Sequence, residues 1–243
     1  MISVIIPTLN AQHGLAATLS ALVPATIDGL VREVIIVDGG SQDDSLLIAE
    51  EVGAKIISTS NGRGHQLALG GREANGPWLL FLHADTILEP HWSIDAEQFM
   101  QSFPQGQQGA AAFRFALNDK GLLPRFMEFM VGLRSQILKL PYGDQGLLIH
   151  KDFYDEIGGY AELPLMEDVE IVRRIGARRI HILGSKALTS AVRYRREGYA
   201  RRISRNLYCL GRYFMGAAPA KIARSYEDGK SQKSSKESRD ARS

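Results

Sequence analysis

The stretch "EVIIVDGGSQDDS" (residues 33–45) passes from a β-branched apolar run into glycines, serines and aspartates. A short continuous apolar run bounded by turn residues reads as a strand buried on both faces. The polar cluster behind it reads as the loop leaving the carboxyl end of that strand. Ser41 and Asp43 are the candidate N-cap groups of the helix expected over 43–52. The same pattern occurs before this stretch, at "SVII" (3–6), and after it, at "AKIIS" (54–58) and "WLLFLHAD" (78–85). Segments of helical period at 13–23 and 62–75 separate the strands. Successive βαβ units therefore predict an α/β domain whose Rossmann-like, mostly parallel sheet is flanked by helices.

Beyond Asp85 the pattern predicts a helix near 91–102, a Gly/Gln loop at 104–109, a strand "AAAFRFAL" (110–117) and an amphipathic stretch at 121–140. A strand "QGLLIH" (145–150), a helix in "PLMEDVEIVRRIG" (164–176) and a strand "RIHIL" (179–183) follow. With 243 residues, 44% hydrophobic and 23% charged, one core is the expectation. The domain is expected to run over 1–228 and end in a disordered polar tail, "GKSQKSSKESRDARS" (229–243). A net charge of +2 excludes a globally basic nucleic-acid binder. The single cysteine, Cys209, permits no internal disulfide and fits a reducing compartment. The N-terminus has no signal-peptide pattern, and no apolar window is long enough to span a bilayer. The expected location is the cytoplasm.

In open parallel sheets ligands bind outside the carboxyl ends of the strands. Pro7-Thr8-Leu9-Asn10, Asp38-Gly39-Gly40-Ser41 and His83-Ala84-Asp85 all follow strands on that edge, so three polar loops converge. Asp85 closes an apolar run with no cationic partner nearby in sequence. A carboxylate placed so suits Mg²⁺ or Mn²⁺ against a diphosphate, with phosphate oxygens and water completing the shell. His83 is read as packing against its strand neighbours. Gly62 and Gly64 flank Arg63 at a helix start, where free N–H groups and a guanidinium meet phosphate. This is neither a dinucleotide fingerprint nor a P-loop. Glu167 and Asp168 open a helix, where acids often serve only the dipole. The chemical reading is that one of them accepts a proton from an incoming nucleophile. "YGDQG" (142–146) is a turn that brings Asp144 and Gln145 to the same crevice as acceptor-site candidates.

In this order, "SVIIPTLN", "IIVDGGSQDDS", "HADT" and "MEDVE" resemble family 2 glycosyltransferases of the GT-A fold over roughly residues 1–185. The resemblance implies that Thr8 and Asp38 contact the nucleoside, Arg63 the base or phosphates, and Asp85 the metal on the diphosphate. Pro7, Asn10 and Ala84 complete the expected nucleotide-sugar set. Asp168 falls at the catalytic base, with Glu167 beside it. Two positions depart from the family: Asn10-Ala11 stands where Asn-Glu is usual, and His83 replaces the first aspartate of the metal motif. The implied activity is metal-dependent, inverting transfer of a sugar from a nucleoside-diphosphate sugar to an unidentified acceptor. A nucleotidyltransferase and a non-catalytic nucleotide-sugar binder are the alternatives. The first lacks its Gly-rich loop in "PTLNAQHG", and the second would have no use for Asp168.

The segment "VRYRREGYARRISRNLYCLGRYFMG" (192–216) interleaves arginines with tyrosines and leucines. Its plainer reading is a packed helix with a solvated basic side. The sharper one is that it rests, together with "LLPRFMEFMVGLRSQILKL" (122–140), on the anionic inner face of a membrane and serves a lipid-linked acceptor.

Overall fold

Apolar runs without proline or glycine interruption extend readily, and each of the four early runs forms a strand. A computed structural model describes residues 1–60, 62–103, 108–137 and 139–225, with Arg193 by its backbone alone. It contains β1 (Ile2–Thr8), β2 (Val31–Asp38), β3 (Lys55–Ser58), β4 (Trp78–Phe81), β5 (Thr86–Leu88), β6 (Ala110–Leu117), β7 (Leu147–His150) and β8 (Ile180–Thr189). All eight join one sheet in the order β3-β2-β1-β4-β7-β6-β8-β5. The β3-β2-β1-β4 half is parallel. β7 runs antiparallel to both β4 and β6, β8 is parallel to β6, and β5 is antiparallel to β8. The expected tail at 229–243 and residues 104–107 of the expected loop lie outside the described residues.

The helices are α1 (Gln12–Ser20), α2 (Val23–Ile27), α3 (Ser45–Glu51), α4 (Arg63–Glu73), α5 (Trp92–Ser102), α6 (Leu122–Ile137), α7 (Lys151–Glu156), α8 (Glu167–Ile175), α9 (Val192–Glu197) and α10 (Tyr199–Phe214). The segment expected as one helix over 13–23 divides, and Pro24, in the first turn of α2, marks the restart. β4 stops at Phe81, so His83-Ala84-Asp85 is a turn leading into the unexpected short β5 rather than a strand end. Ser41 and Asp43 do not act as the N-cap of α3, which begins behind Asp44 without a side-chain cap bond. Instead they tie two loops together, as described below.

β1 shows why the sheet is stable. Val4 and Ile6 point into one apolar layer with Leu15, Leu80 and Trp92. Ile5 points into the other with Leu67, Phe81 and Ile171. Alternate residues thus bury both faces, as a parallel sheet covered by helices on both sides requires. A separate small cluster of Phe115, Leu117, Met127, Ala191 and Tyr194 joins α6, α9 and the end of β6.

Candidate active site

The loops after β1 and β2 are fastened to each other before any ligand arrives. Asp38 is almost fully buried; its Oδ2 accepts the N–H groups of Gly40 (2.8 Å) and Ser41 (2.9 Å), and its Oδ1 accepts the Ser41 hydroxyl at 2.5 Å. Ser41 Oγ in turn accepts the N–H of Asn10, and Asn10 Oδ1 accepts that of Gln42. Asn10 holds φ at +49°, a left-handed conformation that asparagine tolerates better than most residues. Asp43 accepts the N–H of Gln12, while Ser45 Oγ accepts that of Ala11. Thr8 is buried and its hydroxyl donates to the Ile6 carbonyl at 3.2 Å. Gln66 of α4 donates from Nε2 to the carbonyls of both Thr8 (2.9 Å) and Val37 (2.7 Å). Pro7, Thr8, Asn10 and Asp38 therefore share one rigid corner. The side chains of Asn10 and Asp38 already have protein partners there.

The turn carrying His83, Ala84 and Asp85 is held from two sides. α1 packs directly on it: a Cβ on Gly14 would lie 3.0 Å from both the Ala84 carbonyl oxygen and Asp85 Cα, and Thr18 Oγ1 donates to the same carbonyl at 3.0 Å. From the other side the Ser190 N–H donates to the Asp85 carbonyl at 3.2 Å. Thr189 pairs its hydroxyl with that of Thr86 and reaches the Asp144 carbonyl, each at 3.2 Å. The end of β8 thus holds Asp85 and Asp144 side by side.

Asp144 lies in a 3₁₀ turn, Gly143–Gln145, in which the lack of a side chain at Gly143 is decisive. A Cβ there would sit 2.7 Å from His83 Nε2 and 3.6 Å from Asp168 Oδ2. The Gly143 N–H donates to Asp168 Oδ2 at 3.0 Å. His83, Asp168, Glu167, Tyr160 and Phe81 line the resulting crevice together with Gly143. Burial, then the charge of Asp168, pushes the Tyr160 phenol well above its usual range.

The electrostatics separate the two adjacent acids of α8. Glu167 is only 1% exposed and its Oε1 accepts from Arg63 Nε, while its Oε2 is buried without a hydrogen-bond partner. Burial raises the Glu167 pKa against the opposing pull of Arg63. Burial also works against the charged Arg63 guanidinium, but the carboxylates of Glu167 and Asp168 hold its pKa above the usual value. Arg63 side-chain exposure is 39%, so one face remains open to a ligand. Asp168 is half-buried, facing Gly143 and the Val169 N–H. Asp144 is pushed up to about 6, first by burial and then by the charges of Asp168 and Asp85, against Arg134 and Arg63.

Among the described residues no group of three or more His, Cys, Asp or Glu side chains is arranged to hold a metal ion. A site with fewer protein ligands fits better. Asp144 Oδ1 is buried without a hydrogen-bond partner, and it is close enough to Asp85 for the two charges to repel. A divalent cation would relieve both conditions, provided that phosphate and water complete its shell.

Gln145, expected at the acceptor site, is corrected by its bonding. It is 1% exposed, its Oε1 accepts from Ser135 (2.8 Å) and its Nε2 donates to the Phe113 carbonyl (2.9 Å). Its amide holds the turn in place and offers nothing to a ligand. Gln66, Tyr160 and Arg134, whose guanidinium lies 3.4 Å above the Tyr142 ring, also stand at the site without having been expected there. Tyr160 and Arg134 lie in loops and helix stretches without a motif. Gln66 had one usable signal, a polar residue on the apolar side of a helix that starts at the ligand edge.

The family model for glycosyl transferase family 2 matches residues 3–158. A PGL/p-HBAD biosynthesis glycosyltransferase of Mycobacterium bovis is 37% identical over 101 residues, a stretch covering 36% of this chain and 36% of that protein. The matched stretch is thus little more than a third of that relative's length. Among solved structures, residues 1–349 of S. aureus TarS superpose with a TM-score of 0.61 at 20% identity, over 78% of this chain and 60% of that one. Glucosyl-3-phosphoglycerate synthase from Mycobacterium tuberculosis, in complex with Mn²⁺, UDP and glucosyl-3-phosphoglycerate, gives 0.54 at 20% identity, over 78% and 70%. The fold is that of the GT-A glycosyltransferases, and with the family model matching most of its length the chain belongs to glycosyl transferase family 2.

Proposed function

We propose that the protein is a metal-dependent, inverting glycosyltransferase that moves a sugar from a nucleoside-diphosphate sugar to an acceptor hydroxyl. The observation that supports this best is the reach of one glycine: Gly143 touches His83 of the metal-motif turn while its N–H binds Asp168 of α8. That contact supports a reading in which the donor diphosphate and the proton acceptor share one crevice. The relatives point the same way, since one solved neighbour was crystallised with Mn²⁺ and UDP. A uridine nucleotide is accordingly the donor to test first.

In this reading Pro7, Thr8, Asn10 and Asp38 form the preshaped corner for the nucleoside, and the open face of Arg63 meets the diphosphate. Ala84, packed in the core with its carbonyl bonded to Thr18, would hold the turn in place, and Asp85, with Asp144 close by, would hold the cation. A bound Mn²⁺ or Mg²⁺ would stabilise negative charge on the departing diphosphate. Asp168 takes the proton of the acceptor hydroxyl as its oxygen forms a bond to the anomeric carbon. The bond from that carbon to the diphosphate oxygen breaks, and its electron pair leaves with the nucleoside diphosphate. Attack opposite the leaving group inverts the anomeric centre. Most of the acceleration comes from holding the partners in line and from fixed charge. Glu167, buried against Arg63, positions that arginine, and Asp168 alone is the base.

The test is Asp168→Asn. Transfer from a UDP-sugar should fall by about 10²–10⁴-fold, with donor affinity unchanged by titration calorimetry. Equal activity of Asp168→Asn and the parent would remove Asp168 from the chemistry.

A further inference from the structure

α6 is apolar on two sides. Met127 and Val131 pack inward on Phe115, Leu117 and Tyr194. Leu122, Phe126, Phe129, Met130, Leu133 and Ile137 point outward, from 43% to 91% exposed. Their spacing of i, i+4, i+7, i+8, i+11 and i+15 makes one continuous stripe along the helix. An outward stripe of this length on a surface helix marks a contact with something apolar. α10 shares the inner cluster through Tyr199 and Ile203 and exposes Leu207, Tyr208 and Phe214, with the exposed Met215 capping its end.

Charge decides among the possible occupants. Residues 190–225 hold nine arginines and lysines against the single acid Glu197, whereas the whole chain is only +2. The rest of the protein is therefore net negative, and the positive charge is gathered on the α9–α10 side. Some of it is internal: Arg195 binds Asp119, and Arg202 and Arg205 bind Glu197. Arg201, Lys221 and Arg224 are exposed, with no acidic partner among the described residues. Arg201, Tyr208 and Met215 are seven residues apart and share a helical face, so cation, aromatic and thioether present together. A second copy of this chain would bring a like-charged patch against this one. An anionic bilayer surface satisfies both the apolar stripe and the cations.

We infer that the outer faces of α6 and α10 dock the protein on an anionic lipid leaflet. The active site lies beside this surface: Ser135 of α6 holds Gln145 of the turn that carries Asp144, and the Asp144 charge reaches Tyr194 of α9. Docking therefore sets the crevice at the lipid surface. That the acceptor is itself lipid-borne rests on the proposed transferase reading, whereas docking does not.

The experiment is sedimentation of the full chain with vesicles of phosphatidylcholine alone or mixed with phosphatidylglycerol. Binding to the anionic vesicles is expected at low salt, falling by about tenfold at high salt as the charges are screened. Leu122→Ser/Phe126→Ser/Phe129→Ser should lose binding yet keep its melting temperature and its UDP affinity, because those side chains touch no core. In Phe126→Trp, anionic vesicles should shift the indole emission to the blue. Absent binding at low salt, or full binding by the triple variant, overturns the inference. So does a dimer in light scattering that the triple variant dissociates, which assigns the stripe to a second copy. Loss of transferase activity with vesicle binding intact would defeat the proposed function and leave docking standing.

Discussion

The β1–β4 half and the α6–α9–α10 side of the molecule are held together by different forces. In the first, both faces of a parallel sheet are buried, and the segments at its carboxyl edge are joined by bonds such as Asn10 with Ser41 and Gln42, and Gln66 with Thr8 and Val37. In the second, one small apolar cluster is supplemented by ion pairs, Asp119 with Arg195 and Glu197 with Arg202 and Arg205, while large apolar side chains face outward. Under the proposed function the first region would receive the donor, where rigidity is an advantage, and the second would keep its contacts for a partner outside. The crevice at Asp168 lies where the two meet, so substitutions on either side report on the contrast.

The largest effect is expected at Asp85. Asp85→Ala should weaken Mn²⁺-dependent UDP binding by more than about 100-fold, beyond the range seen when groups behind a metal ligand are removed. His83→Ala should do less. Calorimetric titration with and without chelator makes the check: affinity unchanged in Asp85→Ala under both conditions would place the cation elsewhere.

Asp144 should show itself in the pH dependence of stability. Its folded pKa of about 6 lies above the ordinary 3.8, so between these values the folded chain holds a proton that the unfolded chain has released. Stability contributed by this group is therefore present at low pH and lost as pH rises towards 6 and beyond. Asp144→Asn should remove that loss, stabilising the metal-free protein near neutral pH by up to about 3 kcal/mol and changing little below pH 4. Urea titrations across pH measure it. Identical profiles for variant and parent would mean that the charge is relieved within the protein and that no cation is needed there.

Glu167→Ala leaves Arg63 beside a void on the rigid side of the crevice. Because Arg63 keeps 39% of its side chain in water, the cost should be about 1–3 kcal/mol, below that of breaking a fully buried pair. Catalysis should survive in part, with KM for the donor rising as Arg63 loses its aim. A fall in kcat as deep as that of Asp168→Asn, at unchanged KM, would make Glu167 the base instead.

The β1–β4 half was legible from sequence because its signals are local. β-branched runs specify β1–β3 and an apolar run without Gly or Pro specifies β4, and polar residues directly behind them mark the ligand edge. Asp85 stood out in this way and Asp168 by its place in the first turn of α8; the charge of each reaches Asp144, and Asp168 lines the crevice with His83 and Gly143. What sequence could not show was partnership across long separations. Arg63 and Glu167 are 104 residues apart, and Gln145 is consumed by Ser135 and Phe113. Asp38 and Asn10 have ordinary turn chemistry that reads the same whether or not a nucleoside contacts them. The early end of β4 also escaped notice, because "FLHAD" remains apolar through Leu82 while the backbone already turns at His83.

The smallest effect is expected at Asp119, and it tests whether the two regions are separate units. Asp119 accepts from Arg195 Nη2 (2.7 Å), Arg195 Nε (2.9 Å) and the Tyr199 hydroxyl (2.5 Å), fastening α9 and α10 to the end of β6. Hydrogen bonds from Arg195, then from Tyr199, hold its carboxyl well below the usual range. For a depressed carboxyl the stabilisation is complete above the ordinary pKa and is lost only as pH falls through the lowered one, so the fastening persists throughout the physiological range. Asp119→Asn removes the charge and leaves the shape. Amide exchange should then quicken in α9 and α10 at neutral pH while β1–β4 keeps its protection, because locally held elements open without the core. The global melting temperature should move less than in Glu167→Ala. If exchange in β1–β4 rises by the same factor as in α10, the two regions open as one cooperative unit, and the contrast between a rigid sheet edge and a separately held α9–α10 side fails.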